Sequence, residues 1–242
     1  MIYSYSQHTY KLLFPELISG LLIKRYKRFL ADVMLDDGNI VTAHCPNTGS
    51  MTECSQPFRR VYLSKAENTK RKLKYTWELI EMPSSMVGVN TQIPNILIFQ
   101  SIQNKRIKEL NGYDFCKKEV KSNDGIRIDI LLTSKIKEQC FIEIKNCSLV
   151  KENIAYFPDA LTKRGLKHLI ELERLASEGS RSIIFYLVQR MDAKSFRPAD
   201  HIDPEYGKKL REVLSKGVEI LIYDVDIDSN GVSLRNQLPY FL

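Results

Sequence analysis

Two β-branched, apolar runs on either side of a turn-like segment, residues 133–139, constrain the fold of this chain most. Such runs around a short polar segment predict an antiparallel hairpin. In the symmetric register, Leu132 lies opposite Cys140 and Asp129 lies opposite Glu143, on one face of the sheet. Lys145 is two residues beyond Glu143 and shares that face. The sequence therefore predicts that two carboxylates and one ammonium group meet on one face.

Asp129, Glu143 and Lys145 have the order and spacing of metal-dependent nucleases, whose signature is an Asp followed at a distance by Glu-x-Lys. Two carboxylates held this close repel each other unless a cation lies between them. Ligand sets made of oxygen atoms suit Mg²⁺ or Mn²⁺. Because the motif is short, a surface hairpin in which Lys145 neutralises Glu143 and Asp129 is solvated stays open as the alternative.

The composition is that of an ordinary globular protein, with 43% apolar and 27% charged residues. A chain of 242 residues can form one large domain or two small ones. There is no run of 18 apolar residues and no basic segment leading into an apolar one at the N-terminus. We therefore expect a cytoplasmic protein without a membrane partner. The five cysteines and four histidines form no zinc pattern, and we expect reduced thiols.

Basic residues are concentrated in two segments of a chain whose net charge is +7. Residues 24–29 interleave four cations with two aromatic residues, and residues 59–74 carry seven cations against one acid, Glu67. Cations that follow a phosphate backbone and aromatic rings that stack on bases are typical of single-strand binders. The alternative is a solvated basic face with its aromatic rings in the core. The candidate DNA-binding residues here are Lys24, Arg25, Tyr26, Lys27, Arg28, Lys70, Arg71 and Lys72.

Residues 1–83 read as short strands separated by turns, which predicts an OB-like small barrel that binds nucleic acid. The predicted strands are 21–26, 29–35, 40–45, 60–65 and 75–82. A six-stranded sandwich is the alternative. Residues 84–111 form a connecting region with a helix over residues 96–110.

Residues 112–242 alternate strands and helices, which predicts a mixed sheet with a parallel portion. The predicted strands are 116–121, 126–132, 140–146, 182–189 and 218–225, and the predicted helices are 159–178 and a second one that Asp203 and Pro204 open and Gly217 ends. A helix, a β-meander and then α-β steps are the core of restriction-endonuclease-like folds. The fold class is thus an N-terminal OB-like barrel followed by a nuclease-like α/β domain.

Other residues are candidates for the same site. Glu119 faces Asp129 if residues 123–125 form a three-residue loop, and turns away if the loop has two residues. Arg164 and Lys167 lie with His168 on one polar stripe of the helix over 159–178, opposite an apolar stripe, and are candidates for binding phosphate. The apolar stripe carries Leu161, Leu169, Leu172, Leu175 and Ala176. Gln189 ends a buried strand at its carboxyl end, where we expect it to orient a water or the Lys145 amine.

Seven blocks of the chain, in order, resemble the bacterial sugar fermentation stimulation protein A family. They are residues 25–33, 44–51, 70–79, 88–91, 157–160 with Arg164 and Gly165, 196–200, and 202–204. The resemblance implies an OB-like domain, a nuclease-like domain of the Asp/Glu-x-Lys superfamily, DNA binding and an effect on sugar metabolism. It places the superfamily pattern on Asp129, Glu143 and Lys145. This chain has Gln100 where relatives are expected to have a helix acid, which leaves Glu119 as the substitute ligand.

Two functions follow from these observations. In the first, Asp129, Glu143 and the Ile144 carbonyl hold Mg²⁺ or Mn²⁺, and Lys145 positions a water or stabilises charge during phosphodiester hydrolysis. In the second, the protein is a non-catalytic DNA-binding regulator of sugar metabolism. A sugar-metabolism enzyme has no support, because the chain lacks a glycine-rich phosphate loop. The basic clusters at residues 24–28 and 70–74 predict DNA binding without strong sequence preference, and the sequence leaves the oligomeric state open.

Overall fold

The computed structural model describes residues 3–68, 70–122 and 125–242. In the N-terminal half the strands are β1 (Ser4–Ser6), β2 (Lys11–Leu13), β3 (Leu17–Tyr26), β4 (Leu30–Leu35), β5 (Ile40–His44), β6 (Arg60–Lys65), β7 (Tyr75–Met82) and β8 (Ser85–Gly88). Helix α1 (Ile93–Gln103) and a 3-10 turn (Lys108–Leu110) lead into the second half.

The second half contains nine further strands and two further helices within the described ranges. The strands are β9 (Phe115–Lys121), β10 (Arg127–Thr133), β11 (Cys140–Cys147), β12 (Leu149–Lys151), β13 (Ile154–Phe157), β14 (Arg181–Val188), β15 (Ser195–Pro198), β16 (Glu219–Asp228) and β17 (Gly231–Gln237). The helices are α2 (Lys163–Ser177) and α3 (Pro204–Ser215). Within these residues, no helix combines the length and the apolar character that crossing a membrane requires.

The barrel is formed by β3 to β7. Its strands lie in the order β5-β4-β3-β6-β7, and a parallel pairing of β5 with β7 closes it, with β8 added beside β7. Alternate residues such as Leu22, Val33 and Trp77 point inward and are completely buried. The closed pairing confirms the predicted OB-like barrel and rules out the sandwich. Each strand predicted in this region is present, within a few residues of its predicted bounds.

The second domain is built on a mixed sheet whose order is β1-β2-β17-β16-β14-β11-β10-β9 in the described residues. Its centre, β11-β14-β16, is parallel, as predicted. Leu97 and Ile98 of α1 pack on one face of this sheet, and Leu172 of α2 and Leu210 of α3 pack on the other. Because helices cover both faces, β14 is buried along nearly its whole length. This is the expected restriction-endonuclease-like core.

The hairpin registers position the acidic residues. Leu132 pairs with Cys140 and Ile130 with Ile142, which confirms the predicted register of β10 and β11. Between β9 and β10, Arg127 pairs with Lys121 and the Ser122 N–H donates to the Ile126 carbonyl at 2.8 Å. This is the register of the three-residue loop. Residues 123 and 124 of that loop lie outside the described residues.

The structure corrects the predicted boundary after residue 83. Residues 4–13 form β1 and β2, and β2 pairs with β17 of the large sheet, so that the edge of β17 is covered. At the other end of the barrel, β8 extends the barrel sheet to Gly88. The N-terminal segment therefore belongs to the nuclease-like sheet, and the barrel runs from about β3 to β8.

Two helix starts also differ from the prediction. Helix α1 begins at Ile93, three residues before residue 96, with Pro94 in its first turn, and ends at Gln103. Helix α2 begins at Lys163 because the Thr162 hydroxyl accepts a hydrogen bond from the Gly165 N–H at 3.0 Å and caps it. Leu161 precedes this cap and is 78% exposed, so it is not part of the apolar stripe of α2. Helix α3 is capped by Asp203 as predicted.

Candidate metal and nucleic-acid site

A cleft of about 790 Å³ separates the barrel from the nuclease-like domain. The turn over residues 47–50 forms the barrel wall, and the loop before α2 forms part of the opposite wall. Asp129, Glu143 and Lys145 all line this cleft. The structure thus brings together the three residues that the hairpin pattern selected.

Asp129 is held from two directions. Its Oδ2 accepts a hydrogen bond from the Ile144 N–H at 2.8 Å, and its Oδ1 accepts one from Asn95 Nδ2 at 2.8 Å. Burial and the nearby charge of Glu143 raise the pKa of Asp129 to about 6, against the lowering effect of these hydrogen bonds and of Lys145. Asp129 is therefore a fixed carboxylate that resists ionisation while Glu143 is charged.

Glu143 has two oxygen atoms in different surroundings. Its Oε1 accepts a hydrogen bond from Lys145 Nζ at 2.6 Å and contacts His168 Nδ1. Its Oε2 is buried and has no hydrogen-bond partner in the described part of the chain. Burial alone would raise the pKa of Glu143, but the charge of Lys145 and the contact with His168 outweigh it and lower that pKa. One oxygen of this buried carboxylate is thus left available to a ligand.

These two carboxylates fit a divalent cation that takes most of its ligands from solvent or substrate. No group of three or more His, Cys, Asp or Glu side chains in the described residues is arranged to hold a metal. Magnesium is commonly bound by one or two carboxylates, with water and substrate phosphates completing its shell. The observation that fits such an ion is Glu143 Oε2, which has no partner within the described ranges, together with Asp129, whose pKa the charge of Glu143 helps to raise.

Sequence reasoning misplaced His168. It was predicted on the polar stripe of α2, yet it is only 5% exposed and faces the sheet. Its Nδ1 contacts Glu143 Oε1 and lies 3.0 Å from Lys145 Nζ, while its Nε2 accepts a hydrogen bond from Arg164 Nε at 3.4 Å. Arg164 lines the cleft, whereas Lys167 is exposed and lies outside its lining.

Two further predicted residues, Gln189 and Glu119, are not part of the cleft lining. Gln189 is fully buried and donates to Asn146 Oδ1 at 2.7 Å and to the Asn90 carbonyl at 3.2 Å, rather than to Lys145. Glu119 has a φ of 52°, and its side chain is 66% exposed and forms an ion pair with Arg127 at 3.3 Å. The left-handed backbone at Glu119 directs its carboxylate out of the cleft, although the hairpin register is the one that places it opposite Asp129.

The helix contributes an amide to the site instead of an acid. Asn95 lies in the first turn of α1 and reaches Asp129, whereas Gln100 lies more than a turn further along and is not part of the cleft lining. The sequence prediction missed Asn95 because it placed the start of the helix after this residue. Its position beside Pro94 at the start of an apolar run was the signal for it.

The predicted DNA-binding residues of the barrel divide into those that are hydrogen-bonded within the protein and those that are exposed. Arg25 is half-buried and donates to the backbone carbonyls of Asn47, Gly49 and Ser50 at 2.8–2.9 Å, so it holds the cleft turn. Tyr26 donates to Asp32, and Arg71 donates to Thr76 and lies beside His44. The remaining candidates are exposed, and one of them, Arg28, lines the cleft. The exposed group comprises Lys24, Lys27, Arg28, Lys70 and Lys72.

Contacts between the two domains fix the width of the cleft. Ser50 Oγ donates to the Asp159 carbonyl at 2.5 Å, and the Met51 N–H donates to Asp159 Oδ2 at 3.2 Å. A Cβ atom on Gly49 would collide with the Asp159 carboxylate, so a larger residue there would have to displace that side chain. Between β8 and α1, Thr91 Oγ1 donates to the Pro46 carbonyl at 3.0 Å. A hydrogen bond between residues of the cleft lining therefore joins the barrel turn directly to the nuclease-like domain.

Comparison with known proteins supports this arrangement of domains. The family model described as "SfsA N-terminal OB domain" matches residues 23–89, and the one described as "Sugar fermentation stimulation protein RE domain" matches residues 92–231. The solved structure of Pyrococcus furiosus SfsA in complex with Ca²⁺ superposes with a TM-score of 0.87 at 26% identity, covering 96% of this chain and 98% of that one.

Curated relatives match along almost their whole length. A sugar fermentation stimulation protein homolog of Pelobacter propionicus is 49% identical over 228 residues, which are 94% of this chain and 99% of the relative. A homolog of Geobacter sulfurreducens is 47% identical over 223 residues, 92% of this chain and 95% of the relative. With two family models covering both domains and relatives of this similarity, the chain belongs to the sugar fermentation stimulation protein A (SfsA) family.

Proposed function

We propose that this protein binds DNA in the cleft between its two domains and hydrolyses a phosphodiester bond there with a divalent metal ion. One observation carries the proposal: Glu143 Oε2 is buried and has no hydrogen-bond partner among the described residues, and the charge of Glu143 helps to raise the pKa of Asp129 to about 6. Two carboxylates arranged in this way are stabilised by a cation between them. Their position at the end of a β-meander in a nuclease-like domain supports the same conclusion.

The proposed metal is Mg²⁺ or Mn²⁺, held by Asp129, by Glu143 Oε2 and by the Ile144 carbonyl. The Ca²⁺ in the Pyrococcus furiosus relative supports a divalent ion of this kind. When bound, such an ion lowers the pKa of a water molecule and offsets charge that develops on the phosphate. Asn95 and the Ile144 N–H keep the Asp129 carboxylate in place for this role.

Cationic residues of the chain would bind the attacking water and the phosphate groups of the DNA. Lys145, whose Nζ lies 2.6 Å from Glu143 Oε1, is placed to hold a water near the carboxylates or to donate to the phosphate in the transition state. Arg28 on the barrel wall and Arg164 on the opposite wall both line the cleft and are placed to bind flanking phosphates. Phosphate contacts of this kind are independent of base identity, so we expect DNA binding without strong sequence preference.

A non-catalytic DNA-binding regulator is the second candidate, and one observation favours it. Lys145 and His168 both contact Glu143 Oε1, so the charge of this carboxylate is balanced by protein groups alone. A protein that only binds DNA could keep such a pair for stability. The two candidates differ in whether the site binds metal and whether DNA is cut.

Metal binding is tested first by calorimetry with Mn²⁺ and Mg²⁺ on the parent and on Glu143→Gln. We expect binding in the parent and at least a tenfold loss in Glu143→Gln, because the variant replaces a charged ligand with a neutral one. Glu119→Gln is the matched control, since it removes an exposed carboxylate from β9, two strands away from β11, and should leave metal affinity unchanged. Equal Mn²⁺ affinity in the parent and Glu143→Gln would rule out the proposed metal site.

Cleavage is tested with single-stranded, duplex and branched DNA in the presence of Mg²⁺ or Mn²⁺. Asp129→Asn, Glu143→Gln and Lys145→Ala should each abolish cleavage, because they remove two metal ligands and the cation beside them. Lys167→Ala, an exposed cation of α2 outside the cleft lining, should cut as the parent does. If the parent binds metal and DNA but cuts none of these substrates, the regulator is the better description.

A further inference from the structure

We infer that His168 is a positioning residue that couples Arg164, at the rim of the cleft, to the carboxylate of Glu143. This inference rests on the proposed metal site at Glu143. His168 assigns one oxygen of Glu143 to protein contacts and leaves the other for the metal. Its second ring nitrogen holds the Arg164 side chain toward the place where a phosphate would bind.

Nδ1 of His168 lies against the carboxylate of Glu143. This atom contacts Glu143 Oε1, and Lys145 Nζ donates to the same oxygen at 2.6 Å. Lys145 Nζ also lies 3.0 Å from His168 Nδ1. Both contacts are made to Oε1, and Oε2 is the oxygen left without a partner among the described residues.

Nε2 of His168 lies on the opposite side of the ring and contacts Arg164. The Arg164 Nε–H can only donate, so His168 Nε2 accepts this hydrogen bond and carries no proton. A neutral imidazole has one N–H, which is therefore at Nδ1 and donates to Glu143. Both ring nitrogens are used in a side chain that is 5% exposed, and the two contacts together fix the tautomer and the ring orientation.

Through His168, metal binding at Glu143 and phosphate binding at Arg164 depend on each other. Arg164 lines the cleft and is the fourth residue before His168, so one turn of α2 carries both the phosphate-facing cation and its partner. Holding Arg164 requires the tautomer that donates to Glu143. Partners that orient a metal-binding carboxylate typically change metal affinity about 10- to 100-fold when they are removed.

The test uses substitutions that each keep one side of the imidazole. The amide nitrogen of Asn can take the place of Nδ1, whereas that of Gln is nearer to Nε2. We expect His168→Asn to bind Mn²⁺ within about threefold of the parent, and His168→Gln and His168→Ala to lose about 10- to 100-fold. Lys167→Ala, the adjacent exposed position on α2, should bind Mn²⁺ as the parent does. Circular dichroism and thermal unfolding show whether each variant is folded.

A second readout is independent of the variants' metal affinity. In the metal-free parent, ¹⁵N NMR of the His168 ring, assigned by comparison with His168→Gln, should show a protonated Nδ1 and an unprotonated Nε2. A ring protonated at Nε2 alone would overturn the inference, as would equal Mn²⁺ affinity in the parent, His168→Asn and His168→Gln.

The design separates this inference from the proposed function. If Glu143→Gln abolishes Mn²⁺ binding but no His168 variant changes it, the metal site stands and the positioning role is wrong. If the parent binds no Mn²⁺, both are wrong. If His168→Gln loses Mn²⁺ affinity and His168→Asn keeps it, both the metal site and the positioning role are supported. A general packing defect would lower the Mn²⁺ affinity of both variants alike.

Discussion

Asp129 and Glu143 line the same cleft, yet their surroundings shift their pKa values in opposite directions. Burial and the charge of Glu143 raise the pKa of Asp129, whereas Lys145 and His168 outweigh the effect of burial on Glu143 and lower its pKa. Neighbouring carboxylates that differ in this way are common at functional sites. At neutral pH without metal, an ionised Asp129 is therefore a source of instability that a cation would relieve.

The pH dependence of stability tests this feature of Asp129. The folded protein holds the proton more tightly than the unfolded chain, so the carboxyl costs nothing below its ordinary pKa of 3.8 and destabilises the fold as the pH rises to about 6. The shift corresponds to roughly 3 kcal/mol at most. Asp129→Asn should flatten the stability curve between these pH values and raise the metal-free stability at pH 7.5.

Chemical denaturation of both proteins at a series of pH values measures this difference. Added Mn²⁺ should stabilise the parent and have little effect on Asp129→Asn, since an ion that binds only the folded state raises the free energy of unfolding. A variant with the same pH dependence as the parent would show that Asp129 ionises freely in the fold.

At the scale of elements, the hairpin β10–β11 supplies the acids, α1 and α2 supply the residues that orient them, and a barrel turn covers the cleft. The turn over residues 47–50 has little regular backbone pairing, and Arg25 from β3 substitutes for it by donating to three of the turn's carbonyls. Arg25 was predicted to contact DNA. In the structure Arg25 lines the cleft, and its guanidinium is hydrogen-bonded to the turn that forms the cleft wall.

Arg25→Ala should therefore lower the free energy of unfolding, which a residue that only contacts DNA would not affect. Removing a charged donor from several carbonyls costs about 1–3 kcal/mol in the free energy of unfolding. Lys27→Ala, two residues along in an exposed position, should leave stability within about 0.5 kcal/mol of the parent. Urea denaturation of the three proteins distinguishes these outcomes, and equal stability of both variants would assign Arg25 to the solvent-exposed group.

At the scale of the whole molecule, the cleft is lined by residues of both the barrel and the nuclease-like domain. Gly49 of the barrel approaches Asp159 of the nuclease-like domain so closely that a side chain there would collide with the carboxylate. The same carboxylate accepts from the Met51 N–H, and the Asp159 carbonyl accepts from Ser50. The width of the cleft, and with it the position of Arg28 relative to Arg164, depends on this contact.

Gly49→Ala should separate the barrel turn from Asp159 and destabilise the protein by about 1–3 kcal/mol. In an Asp159→Ala background the same substitution should cost much less, because the colliding group has been removed. A double-mutant cycle measured by thermal unfolding gives the coupling between the two positions. Strictly additive effects would contradict a direct contact between them.

Local sequence determined much of this protein. Strand periodicity and turn residues predicted the barrel strands, and the symmetric runs around residues 133–139 predicted the register that brings Asp129, Glu143 and Lys145 together. The Asp203-Pro204 pair predicted the start of α3. These features depend on backbone preferences and on residues near one another in the chain, so a single sequence contains enough information to predict them.

Tertiary structure decided which other groups join the site. The burial of His168 and the reach of Asn95 depend on how α1 and α2 pack against β10 and β11, and the helix pattern alone does not specify that orientation. The exclusion of Glu119 depends on one backbone angle. Residues 4–13 join the large sheet through backbone bonds with β17, more than 200 residues away. Such long-range choices are set by the total burial and hydrogen bonding of the folded chain, which no local pattern encodes.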